Sequence, residues 1–367
     1  MNRALTLLAC AIQLESALSS RAALSLTLPR LETPEEVPEE VETLLRGPLS
    51  ADDAVRIALL NNRDGRVALA EVGIARGNYV QAGLLPNPEA EFEMRGPGGP
   101  QPLQIDLGLE MNLSAFWLTA LRAGVAASQL EAARLRAAGL LLDLAFEARV
   151  AFYEAQAAQQ RHQLRRRALA AQQASYEAAA ELARVGNLPA LRVANELAAV
   201  ELARVQVAEA ENAWLDAREA LTRKLGLTGA HTGWALAGPL PLPTPPTADD
   251  ALERSALDAS LELLELHQQA EAASRKVGLA KTEGLLPHVS AGFHGERDGV
   301  LWELGAHLTV ALPVFDRAEG RQLAAKSEYA LLRARAEGQA VQVRSMARVT
   351  WNRAESAARR ALHYAQR

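Results

Sequence analysis

Only one cysteine, Cys10, occurs in 367 residues. Internal disulfides and zinc sites built from several cysteines are therefore excluded. Aromatic residues make up 4% of the chain, and Ala, Leu and Val carry most of its apolar share, a composition that favours long helices. Positive charge is not in excess: 39 Lys and Arg stand against 44 Asp and Glu, for a net charge of −5. Without a basic stripe to grip phosphates, nucleic acid is not a partner. Long hydrophobic runs are missing too. The nearest, 137–146, is interrupted by Gly139 and Asp143, which is too short for a membrane-spanning helix. A spanning β-strand needs only about 9–11 alternating residues and stays open. No glycine-rich phosphate loop, nucleophile elbow or HExxH pattern occurs. No catalytic residue, cofactor site or metal ligand is assigned, and the chain does not read as an enzyme.

The N-terminus opens Met1-Asn2-Arg3 and continues Ala4-Leu5-Thr6-Leu7-Leu8-Ala9-Cys10. One basic residue before an apolar run resembles an export signal over 1–28. Leu7-Leu8-Ala9-Cys10 also resembles a bacterial lipobox, in which Cys10 would take the lipid; an incidental cysteine in a plain signal is the alternative. Residues 29–49 are acidic and bear Pro34 and Pro38, which reads as an extended segment.

The remainder is duplicated. Ala51-Asp52-Asp53-Ala54 returns as Ala248-Asp249-Asp250-Ala251, and Gly83-Leu84-Leu85-Pro86 as Gly284-Leu285-Leu286-Pro287. Arg136-Ala137-Ala138-Gly139 returns as Arg335-Ala336-Glu337-Gly338, and Ala148-Arg149-Val150 as Ala347-Arg348-Val349. Each match alone is chance-level; four in one order, at offsets near 200, mark a repeat. The copies, 50–237 and 248–367, are divided by Gly238-Pro239-Leu240-Pro241-Leu242-Pro243-Thr244-Pro245-Pro246. So much proline makes 238–247 a stiff extended linker.

Each copy starts with a helix, over 52–84 in the first, with Ser50 or Asp52 as its cap and Pro86 as its stop. Two alternating stretches follow. Ala90, Phe92 and Met94 alternate with Glu89, Glu91, Glu93 and Arg95, and Gly96-Pro97-Gly98-Gly99-Pro100 makes the turn. Over 103–113, Leu103, Ile105, Leu107, Leu109, Met111 and Leu113 share one face, opposite Gln104, Asp106, Gly108, Glu110 and Asn112. The second copy pairs Val289, Ala291 and Phe293 against Ser290, Gly292 and His294, with Asp298-Gly299 as a hairpin turn. Its 302–312 stretch sets Trp302, Leu304, Ala306, Leu308, Val310 and Leu312 against Glu303, Gly305, His307 and Thr309. Period-two alternation predicts strands at about 89–95, 103–113, 289–295 and 302–312. Eleven residues extend about 36 Å and, tilted by about 45°, cover the roughly 25 Å apolar height of an outer-membrane barrel.

No proline falls between Pro102 and Pro189. A helix over about 121–185 would measure about 98 Å, far beyond the usual globular helix. Gly186-Asn187-Leu188-Pro189 ends it, and a return helix runs over about 190–225. The second copy has its own long helix from about 318 to 367.

Four strands cannot stand alone in hydrocarbon, because each unpaired backbone group at an open edge costs several kcal/mol. If the strands span a membrane, several copies of the chain must close one barrel. Apolar faces then meet lipid, and the polar faces line a lumen. The candidate lumen residues are Glu89, Glu91, Glu93, Asp106, Glu110, His294, Glu303 and His307. An acidic lumen would raise the local cation concentration, although any water-filled lumen needs polar residues. His294 and His307 beside these acids could meet a metal ion; solvated histidines are the commoner outcome.

This order of elements resembles the TolC-like outer-membrane efflux family. Local stretches do so as well: Ala51-Asp52-Asp53-Ala54-Val55-Arg56-Ile57-Ala58-Leu59 with Asn61-Asn62, Gln81-Ala82-Gly83-Leu84-Leu85-Pro86-Asn87-Pro88, Leu312-Pro313-Val314-Phe315-Asp316-Arg317 with Gly320-Arg321, and Val185-Gly186-Asn187. The resemblance covers about 49–367. It implies a mainly α fold with a small antiparallel β part, a homotrimer sharing a 12-stranded barrel, and a helical tunnel crossing the periplasm. The implied function is a passive exit duct in a tripartite efflux or type I secretion system, without a cofactor. Implied partners are outer-membrane lipid, a periplasmic adaptor and an inner-membrane pump. The family's adaptor contact carries over to Val185, Gly186, Asn187 and Leu188. One departure stands out. Arg367 corresponds to Ala168 of the first copy, so the second copy reads as truncated before a second tip, through a fragment or a longer reading frame. The alternative reading is a periplasmic coiled-coil adaptor or scaffold with a small β-domain. It requires the apolar strand faces to pack together within one subunit.

Overall fold

The computed structural model describes residues 37–96, 103–247, 251–286, 288–298 and 301–365. The leader with Cys10, residues 29–36 of the acidic segment, the turn at 97–100, repeat residues 248–250, Pro287 and Gly299 lie outside the described residues. The elements run α1 (Glu39–Leu45), α2 (Ala51–Asn61), α3 (Arg63–Ala82), β1 (Glu89–Arg95), β2 (Gln104–Asn112), α4 (Ala115–Arg184) and α5 (Ala190–Leu225). A short 3-10 turn (Gly229–Thr232) follows, then α6 (Leu252–Ala259), α7 (Leu261–Leu285), β3 (His288–Asp298), β4 (Leu301–Ala311) and α8 (Glu319–Ala365). Among the described residues the fold is mainly helical, with one small antiparallel sheet. Among the described residues, no helix is long and apolar enough to cross a membrane.

The chain divides into two compact units, and these are not the two sequence repeats. The first takes residues up to Ala70, Ala137–Pro246 and the chain from Ala354; the second takes Glu71–Arg136 and Thr247–Arg353. Each unit therefore draws on both copies.

In the first unit, Ser50 caps α2 through a capping box. Its hydroxyl accepts from the Asp53 amide at 3.1 Å, and its own amide donates to the Asp53 carboxylate at 3.0 Å. The helix does not continue over 52–84 as the periodicity suggests. It breaks at Asn62, whose backbone is extended, and α3 starts anew. The cause is tertiary. The Asn61 side-chain amide donates to the carbonyls of Leu225 (3.0 Å) and Gly226 (2.8 Å), and that of Asn62 to the carbonyl of Lys224 (2.8 Å). Asn62 Oδ1 meanwhile accepts from the Asp64 amide at 2.7 Å and caps α3. The asparagine pair thus satisfies carbonyls that the end of α5 leaves without helical partners. Gly226 permits the approach: its φ is +67°, and a Cβ there would sit 3.0 Å from the Asn61 carbonyl oxygen. Ile57, Leu141, Leu221 and Leu225 are fully buried in this unit.

The second unit holds the sheet. Strand order is β1-β2-β3-β4, all antiparallel, so the second strand of one repeat pairs with the first strand of the other. In the same unit, Ala270 and Ala273 of α7 pack on Leu332 of α8. Gly284 lies so close to the Arg317 carbonyl that a Cβ would come within 2.1 Å of its oxygen. The Glu283 carboxylate bridges Arg122 (3.5 Å) and Arg321 (3.6 Å), tying the starts of α4 and α8 to the end of α7.

The asparagine cap gives a graded expectation. Asn61→Ala leaves two carbonyls without donors and should cost about 1–3 kcal/mol. Gly226→Ala adds left-handed backbone strain of about 1–2 kcal/mol to a steric conflict. Gly186→Ala, whose φ is +81° in open space, suffers the strain alone. Urea unfolding of the purified protein should rank Gly226→Ala below Gly186→Ala in stability; the reverse order would contradict the cap geometry.

Candidate functional site

The register sorts the strands into two opposed faces. On one, rows of directly paired residues run Phe92–Leu107–Gly295–Leu304, Ala90–Leu109–Phe293–Ala306 and Met111–Ala291–Leu308 across the strands. These side chains are not covered. Leu304 is 86% exposed, Phe293 70%, Phe92 67% and Leu308 64%. Ile105 is half-buried, and Leu109 and Val310 are exposed. The packed apolar interior that the adaptor reading requires is not what this unit contains. A shallow hollow of about 780 Å³ is lined by Leu107, Phe293, Gly295, Trp302 and Leu304. The β4–α8 connection continues the apolar character with Leu312, Val314 and Phe315, all exposed, and the start of α4 adds Phe116 and Trp117.

The opposite face is polar. One row aligns Glu93, Asp106, Glu296 and Glu303 directly across four strands. Arg95 answers it, 2.9 Å from Glu93 and 3.2 Å from Asp106. The next rows are Glu91–Gly108–His294–Gly305 and Glu89–Glu110–Gly292–His307. The imidazoles of His294 and His307 lie 6.1 Å apart between centroids, and His307 Nε2 is 3.7 Å from Glu110 Oε2. All eight lumen candidates from the sequence share this face. Glu296 belongs to it as well and is not among them: the clear alternation from Ser290 ends at His294, whereas β3 runs on to Asp298. No group of three His, Cys, Asp or Glu among the described residues is arranged to hold a metal ion.

The tip residues lie in the other unit. Gly186 takes the left-handed conformation after α4. Its amide donates to the Ala183 carbonyl at 3.0 Å, and the Asn187 amide to the Leu182 carbonyl at 2.9 Å, the double bond of a Schellman motif. Pro189 then caps α5 from an extended backbone. Val185 is exposed. The Arg184 guanidinium bound to the Glu181 carboxylate at 2.5 Å holds that carboxyl below its usual pKa and raises its own.

No protein-family model and no curated protein sequence matches the chain. Solved structures do. The outer-membrane channel OprN superposes with a TM-score of 0.66 at 18% identity, over 92% of this chain and 84% of that one. The CmeC outer membrane channel of Campylobacter jejuni gives 0.66 at 14% identity, over 86% and 76%. The open state of the MtrE outer membrane channel of Neisseria gonorrhoeae gives 0.63 at 17% identity, over 91% and 80%. With its long helices, inter-repeat sheet and bare apolar strand face, the chain has the TolC-like fold of outer-membrane channels.

Proposed function

We propose that the chain is the outer-membrane component of a tripartite efflux or type I secretion system, a passive and non-catalytic exit duct. The observation that carries this reading is the uncovered apolar face of the sheet. At about 25 cal/mol per Å², a face bearing Leu304, Phe293, Phe92 and Leu308 in the open is costly in water and favourable in lipid. The free edges of β1 and β4 support the same reading. In hydrocarbon they must pair, and three copies pairing β1 on β4 make a 12-stranded barrel, an even number above the smallest closed size. Trp302 at one end of the strands and Trp117 and Phe116 beyond the other suit the aromatic belts of a membrane boundary. In this assembly the polar face lines the lumen, and Val185, Gly186, Asn187 and Leu188 meet a periplasmic adaptor that links the duct to its inner-membrane pump.

Membrane insertion sets the expected outcomes. Leu107→Arg and Leu308→Arg should each destabilise the lipid-inserted protein by about 2–4 kcal/mol, measured by reversible unfolding from lipid vesicles. Asp106→Arg should change conductance and leave assembly intact. Equal, small effects of all three on folding would contradict the lipid-facing assignment, as would a full-length protein that stays monomeric and soluble without detergent. At the tip, Val185→Asp should abolish co-purification with the cognate adaptor while insertion and oligomer size stay unchanged. Retained co-purification would remove the tip from the adaptor contact.

A further inference from the structure

We propose that the hairpin end of the apolar face binds a phosphorylated, many-chained glycolipid, the lipid class that fills the outer leaflet of bacterial outer membranes. Arg297 holds the phosphate, and the hollow beside Gly295 seats an acyl chain. The site rests on the proposed duct, because it needs that face to meet lipid. The argument begins with one residue out of character. Alternation along β3 puts Arg297 on the same face as Phe293 and Gly295, and the register aligns it in the row Met94–Ile105–Arg297–Trp302. Its companions in the row are apolar, and Met94 and Trp302 are exposed. Among the described strand residues of that face, no other is charged. A lipid-facing arginine is costly at mid-bilayer and nearly free at the interface, where its head reaches polar lipid groups. Trp302, directly paired with it, suits the same boundary.

The topology says which boundary that is. Helices α3 and α7 lead into β1 and β3, and β2 and β4 lead out to α4 and α8. All four helix connections therefore meet one end of the antiparallel sheet, and the row of Arg297 lies toward the other. With the helices in the periplasm, Arg297 stands in the outer leaflet. About 7 Å along the strands toward the bilayer centre, the next row brings Leu107, Gly295 and Leu304 together. These three, with Phe293 and Trp302, line the hollow of about 780 Å³. A cation at the headgroup level and an apolar hollow directly inward of it match a phosphate with an acyl chain beneath. The pairing is one of charge as well as shape, because a guanidinium grips a phosphate through two parallel N–H donors while its remaining donors serve neighbours. The hollow extends across β2, β3 and β4, a breadth that favours a many-chained lipid over a two-chained one.

The test is native mass spectrometry of the full-length protein in detergent. It is titrated with phosphorylated lipid A, with the same lipid stripped of its phosphates, and with phosphatidylglycerol. The wild-type protein should retain phosphorylated lipid A at about tenfold lower concentration than the stripped form, and ahead of phosphatidylglycerol. Arg297→Gln should remove that advantage, and Arg297→Lys should restore part of it. Arg167→Gln, at an exposed position on α4 in the other unit, should change nothing. Ala306→Phe fills the hollow from an exposed position and leaves Arg297 in place. It should weaken both forms of lipid A alike, and it keeps the test open if Arg297→Gln fails to fold. Equal retention by wild type and Arg297→Gln overturns the inference, as does equal retention by wild type and Ala306→Phe. Phosphatidylglycerol held as tightly as lipid A overturns the choice of occupant. Each of these results leaves the duct standing. A full-length protein that stays soluble without detergent and takes up no lipid overturns the duct and the lipid site together.

Discussion

Nine residue pairs between β2 and β3 join the two sequence repeats into one sheet. This pairing is the constraint on which the rest of the chain's character depends. Side chains alternate with period two, so a slip of one residue would carry each strand's apolar set to the other face. In the observed register, Leu107 and Leu109 stand beside Gly295 and Phe293, and Asp106 stands beside Glu296. One set of backbone hydrogen bonds therefore creates both an apolar face fit for lipid and a polar face fit for a lumen. A hairpin from either repeat alone would be marginal in water; joined, they make a four-stranded unit with two free edges.

Glycines let the two faces be built from side chains of unequal size. Gly108, Gly292 and Gly305 lie on the polar face, where a Cβ would strike Glu91, His307 or His294. Gly295 lies on the apolar face, where a Cβ would come within 3.1 Å of Leu304. Elsewhere, Gly226 and Gly186 do a different task, ending α5 and α4 in the left-handed conformation. The same residue type thus supplies room in the sheet and backbone freedom at the helix ends.

How much could be read in advance varies with the range of the interaction. The strand alternation and the glycine–proline stop after α4 are local, and both are visible in the residues themselves. The break at Asn62 is not, because its cause is the end of α5, about 160 residues away in the chain. Glu296 was missed for a related reason. Its parity marks it as polar-facing, but the apolar alternation ahead of it fades at Gly295 and reverses at Arg297, and only pairing with β2 and β4 extends β3 that far. The compact units likewise cut across the repeats, a division no repeat boundary could announce.

The residue order by itself determined the fold class, the duplication, the position of each strand and the chemistry of each strand's two faces, since these follow from periodicity, propensity and turn residues acting over short stretches. Which strands become neighbours, which carboxylates share a row, and which glycine lies beneath which histidine were decided only by the tertiary structure. Those facts depend on register between segments nearly 200 residues apart, and backbone hydrogen bonding, identical at every residue, acquires a register only when the folded chain brings the faces together.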